Sequence, residues 1–185
     1  PHCFTDSGPE AHPGPPAAQL DGLLARLAAL GVRYVGFSGG EPLLRTDLEG
    51  IMRRGLTAGI QGYGLVTNGW PATQARARSL KDAGLRVVQV SLDGVDAADH
   101  DAVRACGPEG FYRALRAIRL FRDAGLRVDA AALLNPRNLE RLPELALLCE
   151  ALGVTNLRWC SFVPTGRARD PEVQRALTPA PERLD

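Results

Sequence analysis

The sequence predicts an α/β fold, a run of βα units that builds part of a TIM-like parallel barrel. Three observations carry that prediction. A helical pattern, a glycine and a short β-rich run recur along the chain, with the glycines at Gly31, Gly59, Gly84, Gly125 and Gly153. The intervals between them are 28, 25, 41 and 28 residues, which suits parallel strands joined by right-handed helical crossovers. The β-rich runs are nearly continuous apolar stretches, as a parallel sheet requires when it is covered on both faces or closed on itself. Five runs are too few to close an eight-stranded barrel, so a partial barrel is expected.

Each element has its own signal. Residues 1–18 read as a Pro/Gly-rich loop. In the first helix Leu20, Leu23, Leu24, Leu27 and Leu30 mark an apolar stripe at helical spacing. Gly31 then caps it in left-handed geometry and releases the chain into a strand at 33–37. Thr46-Asp47-Leu48-Glu49 reads as a capping box for the second helix, which Gly59 ends before a strand at 62–66. Trp70-Pro71 is expected to open the third helix, where the missing proline N–H costs nothing; a strand at 86–92 follows Gly84. The longest interval holds an insertion over 93–110, on the strand-exit side. A fourth helix is expected over 111–123 with Leu115, Ile118 and Phe121 inward, followed by a strand at 127–134. A fifth spans 138–152, becoming regular at Pro143, before a strand at 156–163. The tail from Arg167 carries two proline turns and a new helical pattern from Pro179. The abrupt start at a loop and this tail make the chain read as part of a longer one.

At 185 residues the chain is long enough for one domain with a real core and short for two. A net charge of +1 gives no bulk electrostatic case for nucleic acid or a membrane surface as partner. Every basic residue except Lys81 is arginine, and their even spread reads as composition rather than as a binding patch. No apolar stretch reaches the ~20 residues of a membrane span, and no secretory signal pattern opens the chain. Cys3, Cys106, Cys149 and Cys160 lie far apart, which argues against a disulfide framework or a self-contained zinc site. A reduced, cytoplasmic protein is expected, with Cys106, Cys149 and Cys160 mainly structural and His12 and His100 at the surface.

The chemistry gathers where strands end. Ser38-Gly39-Gly40-Glu41-Pro42 follows the first strand: two glycines let backbone approach a ligand closely, a carboxylate follows, and a proline stiffens the exit. Thr67-Asn68-Gly69, Ser91-Leu92-Asp93-Gly94 and Asn135-Pro136-Arg137-Asn138 follow three later strands. Singly each is an ordinary loop satisfying its own backbone. Parallel strands put all four on one rim, where α/β proteins build their sites. There a carboxylate suits a small cationic group, and hydroxyls and amides suit a ribose and an adenine edge.

With these residues in place the chain resembles the radical S-adenosylmethionine (SAM) superfamily, from Pro1 to about Ala168. His2-Cys3-Phe4-Thr5 looks like the end of the family's C-x-x-x-C-x-Φ-C loop, with Cys3 as its third cysteine and His2 at the Φ position near the adenine. Ser38–Pro42 is similar to the family's GGEP motif, and Thr67-Asn68-Gly69 to the motif at the next strand's end. Ser91 and Asp93 resemble polar groups that contact the ribose or methionyl part of SAM. His100-Asp101-Ala102-Val103-Arg104 looks like an HDxxR stretch whose arginine meets the SAM carboxylate. Val163-Pro164-Thr165-Gly166-Arg167-Ala168 resembles the sixth-strand exit of the SPASM/Twitch subgroup.

The resemblance implies a partial (β/α)6 TIM-like barrel over residues 1–168, lacking the first strand and the C-terminal part. Residues 169–185 would be a linker or the start of the last helix, leading to a further domain. It implies a [4Fe–4S] cluster held by thiolates and SAM bound by His2, Gly39, Gly40, Glu41, Pro42, Thr67, Asn68, Ser91, Asp93 and Arg104. Reductive cleavage of SAM would yield a 5′-deoxyadenosyl radical, with the cofactors carrying the hard step. The expected substrate is a peptide or small molecule, modified in peptide or peptide-derived cofactor maturation, and the electron donor a flavodoxin or ferredoxin. Only Cys3 of the three cluster cysteines is present, so this polypeptide is expected to be inactive by itself. The alternative is a degenerate, non-catalytic relative acting as a peptide-binding or scaffold module. An unrelated aldolase-like barrel would want a Schiff-base lysine at a strand end, and Lys81 lies on a helix.

Overall fold

The computed structural model describes residues 14–180. Five strands, β1 (Tyr34–Phe37), β2 (Gly62–Thr67), β3 (Leu85–Ser91), β4 (Arg127–Leu133) and β5 (Asn156–Cys160), form one sheet in the order β1-β2-β3-β4-β5. Every neighbouring pair is parallel. Because spatial order equals chain order, successive right-handed crossovers place their helices on the same face. That is barrel winding; a doubly wound sheet reverses its strand order and has helices on both faces. The barrel is not closed by the described residues, as five strands require.

The helices are α1 (Ala17–Ala29), α2 (Leu48–Ala58), α3 (Gln74–Asp82), α4 (Ala97–Arg104), α5 (Glu109–Asp123), α6 (Leu142–Ala151) and α7 (Pro171–Leu177). The core lies between the helices and one sheet face, with Ile51, Met52, Tyr63, Val88, Ile118 and Phe121 fully buried. Tyr63 donates its hydroxyl to the Met52 carbonyl at 2.9 Å. A Cβ on Gly55 would stand 2.1 Å from that hydroxyl oxygen, so α2 approaches the sheet this closely only with glycine there. The five capping glycines all take φ between 71° and 113°, the left-handed region in which a side chain is strained.

Several boundaries differ from expectation, each for a local reason. The second helix is capped at Asp47, whose side chain caps nothing. Arg45 holds that carboxylate at 2.8 Å and Glu49 pairs with Arg76 at 2.6 Å, so no Thr46 capping box forms. The third helix starts at Gln74 rather than at Trp70-Pro71, because the Thr73 hydroxyl accepts from the Arg76 N–H. Pro71 sits in the preceding turn. The 93–110 insertion contains a helix of its own, α4, capped by the Asp96 carboxylate on the Asp99 N–H. A short 3-10 turn over Leu139–Arg141 precedes α6, and β5 ends at Cys160 rather than at 163.

The helical pattern expected from Pro179 lies mostly outside the described residues; before it stands a short helix the sequence did not suggest, α7, capped by Asp170 with Pro171 in its first turn. In α1 only Leu24 and Ala28 are buried, while Leu23 and Leu30 are exposed. The helix turns one narrow stripe to α2 and the sheet, not the broad one the leucines predicted. No helix among the described residues is long and apolar enough to cross a membrane.

Candidate functional site at the C-terminal rim of the sheet

The first rim corner is built around Glu41, which opens a 3-10 turn over Pro42–Leu44. One carboxylate oxygen, Oε1, accepts from the Leu43 N–H at 3.0 Å and from the Thr67 hydroxyl at 2.8 Å. The other, Oε2, accepts from the Asn68 N–H at 2.8 Å. Glu41 thus ties the exit of β1 to the exit of β2 across 26 residues of chain. A carboxylate oxygen takes two donors, and among the described residues Oε2 has one. Burial pushes the Glu41 carboxyl above its ordinary value, while the bonds from Asn68, Leu43 and Thr67 act against that rise. Just before it Ser38, Gly39 and Gly40 are exposed. Gly39 takes φ 136°, and nothing lies within 4 Å of where its Cβ would stand.

The second corner centres on Asp93, which is fully buried beyond the end of β3. Its carboxylate accepts from the Leu133 N–H at 2.6 Å and pairs with Nε of Arg104. The Asp93 N–H donates to Nδ1 of His100 at 3.2 Å, and its carbonyl accepts from the Asn138 amide at 2.9 Å. Asp93 is fully buried while Arg104, 28% exposed, is the member of the pair that solvent reaches. Ser91 is buried at the last position of β3. Arg141 binds both Asp96 and Asp99 at 2.6 Å, pinning the first turn of α4 to the segment before α6.

Glu41, Thr67 and Asn68 are joined directly, as are Asp93 and Arg104. The two corners adjoin because β2 and β3 pair. His2, Cys3 and His12 lie outside the described residues. Asn135 and Asn138 are buried and bond one another and the carbonyl of Leu133, so they shape the β4 exit. Cys149 is buried on α6, where burial pushes its thiol up to about 11, as befits a structural cysteine. Cys106 packs its sulfur where a Cβ on Gly110 would be. Cys160 is exposed at the end of β5, which corrects its expected structural role: an edge strand leaves its last residue uncovered.

His100 corrects the surface expectation too. It is 3% exposed, because His100 and Val103 stand three apart on the inward stripe of α4. That spacing was the available signal. Burial pushes its imidazole below the ordinary 6.5; the Asp93 and Asp101 carboxylates pull upward and Arg104 pushes down. The neutral ring accepts the Asp93 N–H; a protonated ring would present a second donor to it. The folded state then binds fewer protons than the unfolded one, so this contribution is present above 6.5 and lost as pH falls below it. Denaturation midpoints should fall on acidification from pH 7.5 to 5.5. They should fall less in His100→Asn, whose amide oxygen replaces Nδ1; parallel profiles would remove His100 as the cause.

A family model described as the Radical SAM superfamily matches residues 1–149. The AdoMet-dependent heme synthase of Nitratidesulfovibrio vulgaris is 30% identical over 168 residues, 90% of this chain and 45% of its own length. The mycofactocin maturase MftC of Mycobacterium tuberculosis is 34% identical over 171 residues, 91% of this chain and 42% of its own. The chain therefore spans about half the length of the curated relatives it matches. Streptococcus suis SuiB, solved with its precursor peptide SuiA, superposes with a TM-score of 0.73 at 18% identity, over 88% of this chain and 36% of that one. The winding, the rim motifs in their chain order and the family match agree: the chain belongs to the radical SAM superfamily.

Proposed function

We propose that the rim binds S-adenosylmethionine and that the whole protein is a radical SAM enzyme maturing a peptide or a peptide-derived cofactor. The observation that carries this reading is the Glu41 carboxylate, whose Oε2 has a single donor among the described residues, beside the exposed Gly39-Gly40 backbone. A half-buried carboxylate fixed by three donors among the described residues suits an ammonium group, here the amino group of SAM. Thr67 and Asn68 hold that carboxylate in place. Arg104, oriented through Nε by Asp93, offers its terminal nitrogens to the SAM carboxylate, and Ser91 stands at the adjoining corner. Pro42 shapes the turn that presents Glu41.

The family's second cofactor is a [4Fe–4S] cluster, which when bound supplies the electron for SAM cleavage. Among the described residues no group of three or more His, Cys, Asp or Glu side chains could hold a metal ion. Cys3 is the ligand proposed from the motif, with His2 beside the adenine and a flavodoxin or ferredoxin as electron source. A peptide substrate is favoured by the likeness to the PqqA peptide cyclase of Rhodopseudomonas palustris, 33% identical over 151 residues.

Equilibrium dialysis of the purified chain against labelled AdoMet tests the rim. Glu41→Gln leaves an oxygen for Leu43 and Thr67 but turns an NH2 towards the Asn68 N–H and the ammonium. The loss of one charge-assisted bond, about 1.5–3 kcal/mol, is expected to weaken binding on the order of tenfold or more. Unchanged affinity would remove the role of Glu41. In the full-length, anaerobically reconstituted protein, Cys3→Ala should lose the brown cluster absorbance and AdoMet cleavage together. Retained cleavage would sink the assignment of Cys3.

A further inference from the structure

The sheet face turned away from the helices carries a charge imbalance that the SAM reading does not use. The strands hold only four charged side chains: Arg86, Arg127, Asp129 and Arg158. Side chains alternate along a strand; Val128, Ala130, Ala132 and Leu157 pack into the helix-side core, so Arg127, Asp129 and Arg158 face the other way. Arg86 sits at the irregularity between β2 and β3. A Cβ on Gly62 would stand 3.0 Å from its Cγ and 3.1 Å from the Tyr34 ring, which puts its stem on this face too.

Asp129 is wholly buried, and Arg127 engages it with two nitrogens, Nε at 3.1 Å and a terminal nitrogen at 3.3 Å. The Asn156 amide, oriented to satisfy its neighbours, turns its oxygen to the same Arg127 guanidinium. That pair is neutral and closed. Arg158 reaches Asp129 only at 3.5 Å, and its side chain is 60% exposed. Its charge has no carboxylate of its own among the strand residues.

The register sets its depth. Ser91, Ala131 and Arg158 form one row across β3, β4 and β5. That row lies one layer, about 6.6 Å at 3.3 Å per residue, below the row of Leu133 and Cys160 at the strand ends. In a barrel this face is the lumen.

We propose that this face is a carboxylate-binding site, with Arg158 as its main ligand, holding an anionic group of the substrate one layer below the rim. A planar guanidinium with open donors takes a carboxylate bidentately, and Arg86 adds positive potential on the same face. The inference rests on the rim being the SAM site only for the word substrate; the carboxylate site stands on its own charges. The acid could belong to a small polycarboxylate or to a glutamyl or aspartyl residue of a peptide.

The probes are glutarate, its neutral isostere glutaramide and the peptide N-acetyl-Ala-Glu-Ala-amide. They are titrated into the full chain while the arginine Nε–H resonances are followed by NMR. Glutarate or the peptide should shift the Arg158 signal and glutaramide should not; the tighter of the two acids identifies the source. Arg158→Gln should weaken binding by roughly tenfold or more, a charge-assisted bond's worth. Arg158→Lys, which keeps charge but not the planar fork and guards against misfolding of the first variant, should lose at least half of that. Arg119→Gln, on the outer face of α5, should bind as the parent does. Equal shifts from glutarate and glutaramide, or undiminished binding in Arg158→Gln, overturn the site.

AdoMet dialysis on the same samples separates the two readings. Carboxylate binding without AdoMet binding leaves this inference standing and fails the SAM rim; the reverse result fails this inference alone. A tenfold loss of AdoMet affinity in Arg158→Gln would assign the arginine to SAM and overturn the inference.

Discussion

Arg104→Leu should be among the most damaging single substitutions at the rim. It leaves the fully buried Asp93 carboxylate with the Leu133 N–H and no counter-charge. Removing one partner of a buried pair costs about 3–5 kcal/mol, against a total stability of roughly 5–15 kcal/mol for a domain. At about 2–4 °C per kcal/mol for a chain of this size, the melting temperature should fall by roughly 6–20 °C. AdoMet binding should fall with it, because the same arginine is the proposed carboxylate ligand.

The double variant Asp93→Asn/Arg104→Leu separates stability from binding. It removes both charges and keeps an oxygen for the Leu133 N–H, so most of the stability should return while AdoMet affinity stays low. A double variant as unstable as the single one would show that the pair's charge is not what matters. One that regains AdoMet binding would remove Arg104 from the site.

Gly94→Ala should act on the same turn from the opposite direction, by inserting bulk. Its Cβ would stand 2.4 Å from the Asp99 Cβ, 2.7 Å from the His100 N and 2.9 Å from the Asp99 carbonyl carbon. Two of these are backbone atoms of the first turns of α4, which cannot rotate away, so the helix itself must shift. Overpacking typically costs about 1–3 kcal/mol, and backbone neighbours place this site at the upper end. Moving α4 also moves Arg104 relative to Asp93, so AdoMet affinity should drop although neither residue has changed. Gly22→Ala is the matched control: it lies within α1 with nothing within 4 Å, and should stabilise by about 0.5–1 kcal/mol. If both alanines have the same effect, close approach at Gly94 is not what constrains the turn.

Barrel winding, the five strands, their capping glycines and the rim motifs were all legible along the chain. Each is a local rule: a glycine takes left-handed φ wherever a helix must release a strand, and strand exits in parallel units fall on one edge whatever the side chains do. Glu41, Thr67 and Asn68 were readable as rim residues for that reason, although their mutual hydrogen bonds were not. Helix starts were less legible: Arg76, distant in sequence, holds Glu49 away from a Thr46 capping box, and Thr73 rather than Pro71 opens the third helix.

What the chain order could not express is which polar groups are used up by protein. Asp93 was readable as a rim residue, and its bonds to Leu133, Arg104 and Asn138, residues up to 45 positions away, were not. His100 looked like a surface histidine and is a buried acceptor. Arg158 looked like one arginine among many, and becomes a surplus charge only when β4 and β5 pair and Arg127 closes on Asp129. Local periodicity dictates backbone path because it acts between near neighbours. Hydrogen-bond saturation and charge balance depend on distances across strands, which exist only after the sheet has formed.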